Sequence, residues 1–465
     1  MAPLRQSQRI ERPAWTNHTT NNRRRLGHAP IPLVADLLAL LAGVGLGVVV
    51  ALVVVGETAG TLASPGGWLI AVGRLTGFTG TYLMLIMIVL IARLPWLERT
   101  VGQDRLVRWH RKIGPWPIVL ITLHVVSMVL GYSQITKSGP LHQLGVFLLN
   151  YPDMLAAMVA FGLILMAGFS SIRIARHKMK YETWWVVHLY TYLALALAFA
   201  HQIVTGVVFL GHPLTRAFWI TIWAATAALV LVSRILLPIV RNVRLQLRVA
   251  DVVQEAPGTY SLTVSGRNLS RLAVSGGQFF QWRFLAKGLW WHGHPYSLSA
   301  LPRPPFMRVT IKGLGDQSSA VAQLKPGTRV FVEGPYGTFT RHARTTNRVT
   351  LIGAGVGITP LRALLEDLPK NVEVSVIIRA STPEDIVHRD EVEALVKLRK
   401  GQFHEMVGPR QTVRIDAATL RRLVPHLSQN DVYVCGPSGF TEQVVDAASR
   451  LRVPPERIHF EEFTF

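Results

Sequence analysis

The 465-residue sequence holds a single cysteine, Cys435. No intrachain disulfide can form from it, and neither a thiolate zinc site nor a cysteine-held iron–sulfur cluster can be built. Acidic residues are scarce, 27 Asp and Glu against 49 Lys and Arg, which leaves a net charge of +22. No internal repeat, low-complexity tract or long linker is present, so the chain reads as a succession of distinct domains. The first thirty residues are polar and basic. The apolar run after them is too long for a signal-peptide core and reads as a retained membrane span.

What the sequence does have is apolar length. Residues of apolar type make up 49% of the chain, and the excess is concentrated in the first half. Six stretches reach spanning length: Leu33–Val55, Trp68–Ala92, Ile113–Tyr132, Asp153–Ala175, Thr183–Leu210 and Leu214–Pro238. Arg23, Arg24 and Arg25 precede the first span. Arg93, Arg99, Arg105, Arg108 and Arg111 fill the loop before the third, and Arg176, Lys178 and Lys180 the loop before the fifth. The intervening loops are nearly free of positive charge, which places both termini in the cytoplasm. The basic surplus therefore reads as topology and lipid contact, and nucleic acid is not expected as a partner.

From Arg241 short alternating segments such as Val243–Val249 and Tyr260–Val264 read as strands of an antiparallel barrel or sandwich. After about Arg344 strands alternate with helices: Val349–Ile352, Leu361–Leu368, Val372–Ile378, Glu391–Leu398 and Val432–Val434. That order implies a parallel sheet with right-handed crossovers. The expected organisation is a cytoplasmic segment (1–32) and an all-α six-helix transmembrane bundle (33–240). An antiparallel β-barrel (241–344) and an α/β parallel-sheet domain (345–465) follow.

Four histidines lie in or at the ends of two spans: His110 and His124 with the third, His188 and His201 with the fifth. Ionisable groups at such depth mark function by default, although any single one is equally readable as a hydrogen-bonded helix histidine. Two pairs at nearly equal spacing, 14 and 13 residues, are harder to assign to packing. The members of each pair lie roughly 20 Å apart along the helix. Given the orientation, His110 and His188 fall in an inner layer, His124 and His201 in an outer one. Each layer offers one imidazole from each helix, the donor set for an axially ligated haem, so a ladder of two haems follows. Zinc is disfavoured because no carboxylate or thiolate completes either layer. Fourteen residues keep His110 and His124 within about 40° of one helix face, whereas thirteen leave His188 and His201 about 140° apart. A local bulge in the fifth span, or differing haem approach angles, is expected to resolve the mismatch. Arg74 sits inside the second span. It either snorkels or pairs with a carboxylate, none of which is near in sequence, or it neutralises haem propionates or draws an anionic intermediate to the outer haem; the second reading is favoured.

In the soluble half, His294-Pro295-Tyr296-Ser297 sits where the barrel should hold a cofactor. An aromatic followed by a hydroxyl can lay a ring on an isoalloxazine and bond its edge, although the segment alone is equally an ordinary strand. Lys312-Gly313 and Gly315-Asp316-Gln317-Ser318-Ser319 lead into a helix-like stretch that can hold a pyrophosphate at its start. Gly353-Ala354-Gly355-Val356-Gly357-Ile358-Thr359-Pro360 follows an apolar strand and opens a helix, the context a dinucleotide diphosphate needs. Arg379 closes the next strand, where a basic residue suits a 2′-phosphate and so NADPH over NADH, or is merely a solvated strand end. Cys435-Gly436 lies at the mouth of the parallel sheet, as a ligand contact or as packing. The terminal Phe465 either packs in the core or covers a flavin.

Together these motifs resemble the ferric reductase and NADPH oxidase superfamily, over nearly the whole chain from about residue 33. The resemblance implies that His110 and His188 ligate an inner b-type haem and His124 and His201 an outer one. It implies that Tyr296 lies on the FAD ring with Ser297 near its N5 edge, and that Lys312 to Ser319 hold the FAD diphosphate. The Gly353–Pro360 turn would hold the NADPH pyrophosphate, with Cys435 and Gly436 by the nicotinamide and Phe465 stacked on the flavin. Arg74 matches an arginine near the outer haem. Met128 stands where some oxidases carry a further histidine, which puts oxygen handling at the outer site in doubt. No calcium-binding N-terminal domain is seen, so gating of that kind is not expected.

The expected activity is NADPH oxidation on the cytoplasmic face, with FAD splitting the hydride pair into single electrons that cross by two haems. Dioxygen, giving superoxide, is favoured as acceptor over a ferric chelate, because the outer loops hold only His142, His212 and Arg216 as chelate-binding candidates. A transporter with a sensor domain would explain the span count but not the paired histidines. A non-enzymatic haem protein with a degenerate reductase tail is opposed by the intact glycine turn and Tyr296-Ser297. The expected setting is a bacterial plasma membrane; oligomeric state is left open.

Overall fold

The computed structural model describes residues 32–151, 153–179, 181–206 and 212–463. They form two compact units, one of residues 32–97 with 104–236 and the other of 98–103 with 237–463. Phe465 lies outside the described residues, as does Leu210, the expected end of the fifth span.

Among the described residues six helices are long and apolar enough to cross a membrane: Leu33–Val55, Gly67–Ile91, Arg105–Thr136, Met154–Ser171, Thr183–Val204 and Pro213–Leu245. They are hydrophobic on all faces, as a lipid-facing helix must be, because every backbone group is bonded within the helix itself. The third span starts earlier than expected. Pro115 opens the helix Pro115–Thr136, where its missing N–H costs nothing, and Gly114 N–H still donates to His110 O at 2.9 Å. The segment expected as a plain loop, 133–152, contains the helix Pro140–Asn150. The second and third spans approach closely. A Cβ at Gly77 would fall 2.7 Å from His124 Nδ1, so only glycine admits the ring there.

The bulge expected in the fifth span is not there: Tyr181–Thr205 is continuous α-helix, and the π-turn lies in the sixth span at Leu231–Leu236. That turn presents Ser233 and Arg234 to Ala92 O and Ile91 O, the carbonyls left unpaired where the second span ends.

The second unit begins by correcting a boundary. Residues up to Leu245 finish the helix Leu237–Leu245, and the first strand starts only at Arg248. Its six antiparallel strands are β1 (Arg248–Ala256), β2 (Thr259–Ser265), β3 (Phe279–Phe284), β4 (His294–Arg303), β5 (Phe306–Lys312) and β6 (Val330–Tyr336). They are ordered β1-β2-β5-β4-β3-β6. The sheet curls until residues 247–249 bond to residues 327–330, bringing its two edges together at one end. Alternate residues fill its interior, with Leu262, Phe280, Trp282, Leu298 and Val309 fully buried. Next come β7 (Arg348–Ala354), β8 (Glu373–Ala380), β9 (Gln402–Val407), β10 (Asp431–Pro437) and β11 (Ile458–Phe463), all parallel in the order β11-β10-β7-β8-β9. Apolar runs such as Leu351–Ile352 and Val432–Val434 are buried on both faces, as covered parallel strands require.

An ionic network joins the antiparallel sheet to the helices Ile358–Asp367 and Arg389–Lys397 that cover the parallel one. Arg308 on β5 forks onto Glu391 at 2.7 Å through each of two nitrogens, and Arg362 Nε donates to the same carboxylate at 2.8 Å. Arg362 also pairs with Glu366, which accepts from Arg303 at 2.6 Å. His388 is buried beside Thr310 Oγ1, 2.9 Å from its Nε2.

Candidate functional sites

Two histidine layers are assembled within the membrane unit. The rings of His110 and His188 face each other with centroids 6.2 Å apart and planes at 72°. That separation leaves room for one metal ion about 2 Å from a nitrogen of each ring. His124 and His201 line one common cavity. Among the described residues no group of three or more His, Cys, Asp or Glu converges, so each layer presents two donors and no more.

The tautomers follow from the partners. His110 Nδ1 lies 3.2 Å from Met87 O and His124 Nδ1 2.7 Å from Gly73 O. A carbonyl can only accept, so both Nδ1 atoms carry the proton and both Nε2 lone pairs are left for a metal. The fifth-span rings are held differently. His188 stacks on Trp184 with centroids 5.2 Å apart, and its Nδ1 is 3.5 Å from Ser171 Oγ. Beside His201, Gln202 takes a hydrogen bond from Trp219 Nε1 at 2.9 Å and gives one to Thr81 Oγ1 at 3.2 Å. This buried bridge to the second and sixth spans fixes the rotation of the fifth helix. His188 faces His110 and His201 lines the cavity with His124 although this helix has no bulge.

The cavity at His124 and His201 has a volume of about 200 Å³ and is partly open. Its walls are mostly apolar, with Phe78, Ile121, Met128, Phe147 and Phe161 among them. An apolar slot lined by two imidazoles, with the Nε2 of His124 directed away from its carbonyl partner, is the donor set and surface that a haem requires. Arg74 lines the same cavity, and here the expectation needs correction. A carboxylate partner exists: Glu57 Oε1 accepts from Arg74 at 2.8 Å, with the side chains 10% and 20% exposed. The loop after the first span folds back to bring it there.

In the curled sheet His294 and Tyr296 share one face of β4, their rings stacked at 5.9 Å. Trp282 Nε1 holds the Tyr296 carbonyl at 2.9 Å, and burial pushes the Tyr296 phenol up, so it stays protonated. Pro295 is exposed between them and Ser297 is buried opposite Phe279. Gln317, from the Lys312–Ser319 segment, comes within 3.5 Å of His292 Nδ1, and its buried Oε1 has no protein hydrogen-bond partner. Such an orphaned acceptor beside stacked rings fits a ligand that brings a donor. His292 and Trp291, their rings tilted at 38° with centroids 3.8 Å apart, belong to this cluster and were not singled out from the sequence. Gly315 caps the helix Asp316–Ala320, but Ser318 Oγ already accepts from Leu314 N and Gly315 N at 2.9 and 3.0 Å. Those two donors are therefore not left over for a phosphate, while Lys312 and Gly313 lie at the end of β5.

The glycine turn runs from the end of β7 into the helix Ile358–Asp367. Gly353 ends the strand, Gly355 adopts φ +54°, and a Cβ on Gly357 would fall 2.2 Å from Cys435 O. The turn therefore sits directly against the end of β10, bringing Cys435 and Gly436 to it. Thr359 and Pro360 are buried in the first helical turn, with Thr359 Oγ1 on Val356 O at 2.9 Å. Cys435 is fully buried, and burial with nearby Glu461 pushes its thiol well above the usual range, so it is no thiolate at neutral pH. Arg379 departs from expectation. It is 7% exposed, and its guanidinium donates to the carbonyls of Met406, Gly408 and Val413 at 3.3, 2.8 and 3.2 Å. Those bonds engage donors that a 2′-phosphate would need.

Comparison with known proteins agrees with this division. Residues 76–199, which carry all four histidines except His201, match the family described as ferric reductase like transmembrane component. Residues 351–446, from β7 through Cys435, match the oxidoreductase NAD-binding domain. The chain has the architecture of the NADPH oxidase and ferric reductase superfamily. Among individual relatives, the NADPH oxidoreductase of Mycobacterium tuberculosis is 27% identical over 198 residues, 40% of this chain and 51% of that protein. A flavohemoprotein of Deinococcus radiodurans is 30% identical over 191 residues, 37% of this chain and 47% of that protein. The chain thus spans about half the length of the curated relatives it matches. In solved structures, an Amycolatopsis cytochrome P450 reductase is similar over 47% of this chain and 69% of its own, at 23% identity and a TM-score of 0.40. The FAD/NAD binding domain of a nitric oxide dioxygenase from Vibrio cholerae is similar over 47% of this chain and 98% of its own, at 21% identity and a TM-score of 0.39.

Proposed function

We propose that this protein is a transmembrane NADPH oxidase that takes electrons from NADPH on the cytoplasmic face of a bacterial plasma membrane and reduces dioxygen to superoxide outside. His110 with His188 and His124 with His201 would hold two b-type haems. The surface around His294, Tyr296 and Gln317 would hold FAD, and the turn Gly353–Gly357 the nicotinamide dinucleotide. Bound there, these groups would split a hydride pair into single electrons and carry them singly. The chain's own residues supply position. Met87 O and Gly73 O fix two imidazole tautomers, the Thr81–Gln202–Trp219 bridge fixes the helix bearing His201, and Gly357 seats the turn against Cys435. For the donor, Arg410, an exposed cation whose charge reaches Arg379, would meet a 2′-phosphate in place of Arg379.

The acceptor reading is carried by the His124–His201 cavity. Its walls are largely apolar, and its arginine is already neutralised by Glu57. A small neutral acceptor meets no barrier there, whereas an anionic ferric chelate would find no net positive charge to draw it in. The test is oxidation of NADPH and of NADH by purified protein supplied with FAD, in air and then anaerobically with a ferric chelate, with haem spectra alongside. Fast aerobic turnover whose reporter signal vanishes with superoxide dismutase supports the oxidase. Slow aerobic turnover with fast anaerobic iron reduction assigns a ferric-chelate reductase. Absence of a haem spectrum overturns the electron path.

A further inference from the structure

The Arg74–Glu57 pair does more than settle a stray cation. Glu57 sits in the loop between the first two spans, yet its carboxylate is 10% exposed and held at both oxygens. Arg74 donates to Oε1 at 2.8 Å and Thr61 Oγ1 lies 3.3 Å from Oε2. Thr61 is itself fixed, because Thr58 and Thr61 form a reciprocal capping box at the start of the helix Ala59–Ala63. The acid is thus mounted on a rigid turn. Arg74 also lines the cavity that holds His124 and His201, and the residue before it, Gly73, supplies the carbonyl that orients His124.

A lone guanidinium beside a metal in a cavity of low dielectric would favour the reduced, less positive metal and draw anions inward. A carboxylate bonded to it cancels that field. We propose that Glu57 is a positioning residue for the acceptor site. By neutralising Arg74 it keeps the redox potential at the His124–His201 layer low and denies anionic acceptors a foothold. This inference rests on the proposal that His124 and His201 hold a haem, and it concerns a residue that touches neither ring nor acceptor.

The experiment is a spectroelectrochemical titration of the purified full-length protein with haem bound, in wild type, Glu57→Gln, Arg74→Gln and the double variant. Glu57→Gln should keep both haems and move the potential of one of them upward, leaving the other in place. Arg74→Gln should move the same haem downward, and the double variant should return close to wild type. Glu57→Gln should also gain turnover with ferricyanide relative to dioxygen. Unmoved potentials in Glu57→Gln with both haems retained overturn the inference alone. A wild type that binds no haem overturns the electron path on which it rests. Should Glu57→Gln fail to accumulate, Glu57→Asp, which keeps the charge but shortens its reach, should give a smaller upward shift; no shift there also overturns the inference.

Discussion

Glu391→Gln removes the one carboxylate shared by two buried guanidiniums. Arg308 and Arg362 are 3% and 0% exposed, and three hydrogen bonds of 2.7 to 2.8 Å end on Glu391. Burial alone would raise the Glu391 pKa, but hydrogen bonds and charge from Arg308, then charge from Arg362, hold it down from the ordinary 4.5 to about 2. At about 1.4 kcal/mol per pKa unit, that preference for the charged form is on the order of 3 kcal/mol. Removing one partner of a buried ion pair independently suggests about 3–5 kcal/mol, because the other charge is left uncompensated. A module of this size shifts its melting temperature by roughly 2–4 °C per kcal/mol, so the variant should melt about 6–12 °C lower. Thermal unfolding of the purified full-length protein in detergent, followed by tryptophan fluorescence, reads this out. A drop smaller than about 2 °C would refute the view that this carboxylate ties the antiparallel sheet to the helices beside it.

The same network makes the reductase unit acid-sensitive. Burial first, then the charge of Arg308, holds His388 neutral with a pKa well below its usual value, although Glu255 and Glu391 lie 3.8 Å away. The unfolded chain therefore takes up that proton first, and stability should fall as pH drops below about 6.5 and fall again below about 4.5 as Glu391 loses its advantage; melting curves from pH 8 to 4 check the first step. Gly357→Ala forces a Cβ to within 2.2 Å of Cys435 O, so the turn must shift; kcat/KM for NADPH-driven flavin reduction should fall about 100-fold, and melting should fall with it because the clash is with buried backbone. His201→Leu should remove one of two haems by pyridine haemochrome assay while NADPH still reduces the flavin; full haem content would dismiss the ligand assignment.

Much of this was legible in the chain because the relevant signals are local. Apolar length gave the spans, and the strand–glycine–helix order gave the nucleotide-type turn. The two histidine pairs stood out by spacing alone. What escaped is what folding brings from a distance. Glu57 reaches Arg74 across 17 positions and only through a turned-back loop, so a search along the second span could not find it. Arg379 was placed correctly at a strand end, but the loop 408–413 that wraps its guanidinium has no signature of its own. The bulge expected in the fifth span is absent, and both of its histidines still meet their third-span partners on a continuous helix. The Arg308–Glu391 contact joins residues 83 apart, one on a strand and the other on the helix Arg389–Lys397, and neither is unusual in its element.

The carbonyls that hold the third-span imidazoles belong to Met87 and Gly73, and they are as far apart in the second span as His110 and His124 are in the third. The two helices therefore act as paired rulers, each graduated in the same interval of about 21 Å. An insertion of one residue between Gly73 and Met87 would rotate one carbonyl away from its ring by about 100° while leaving the other bond intact. The separation of the two histidine layers is thus written twice in the chain, and a change to either copy alone is registered by the other as a lost hydrogen bond.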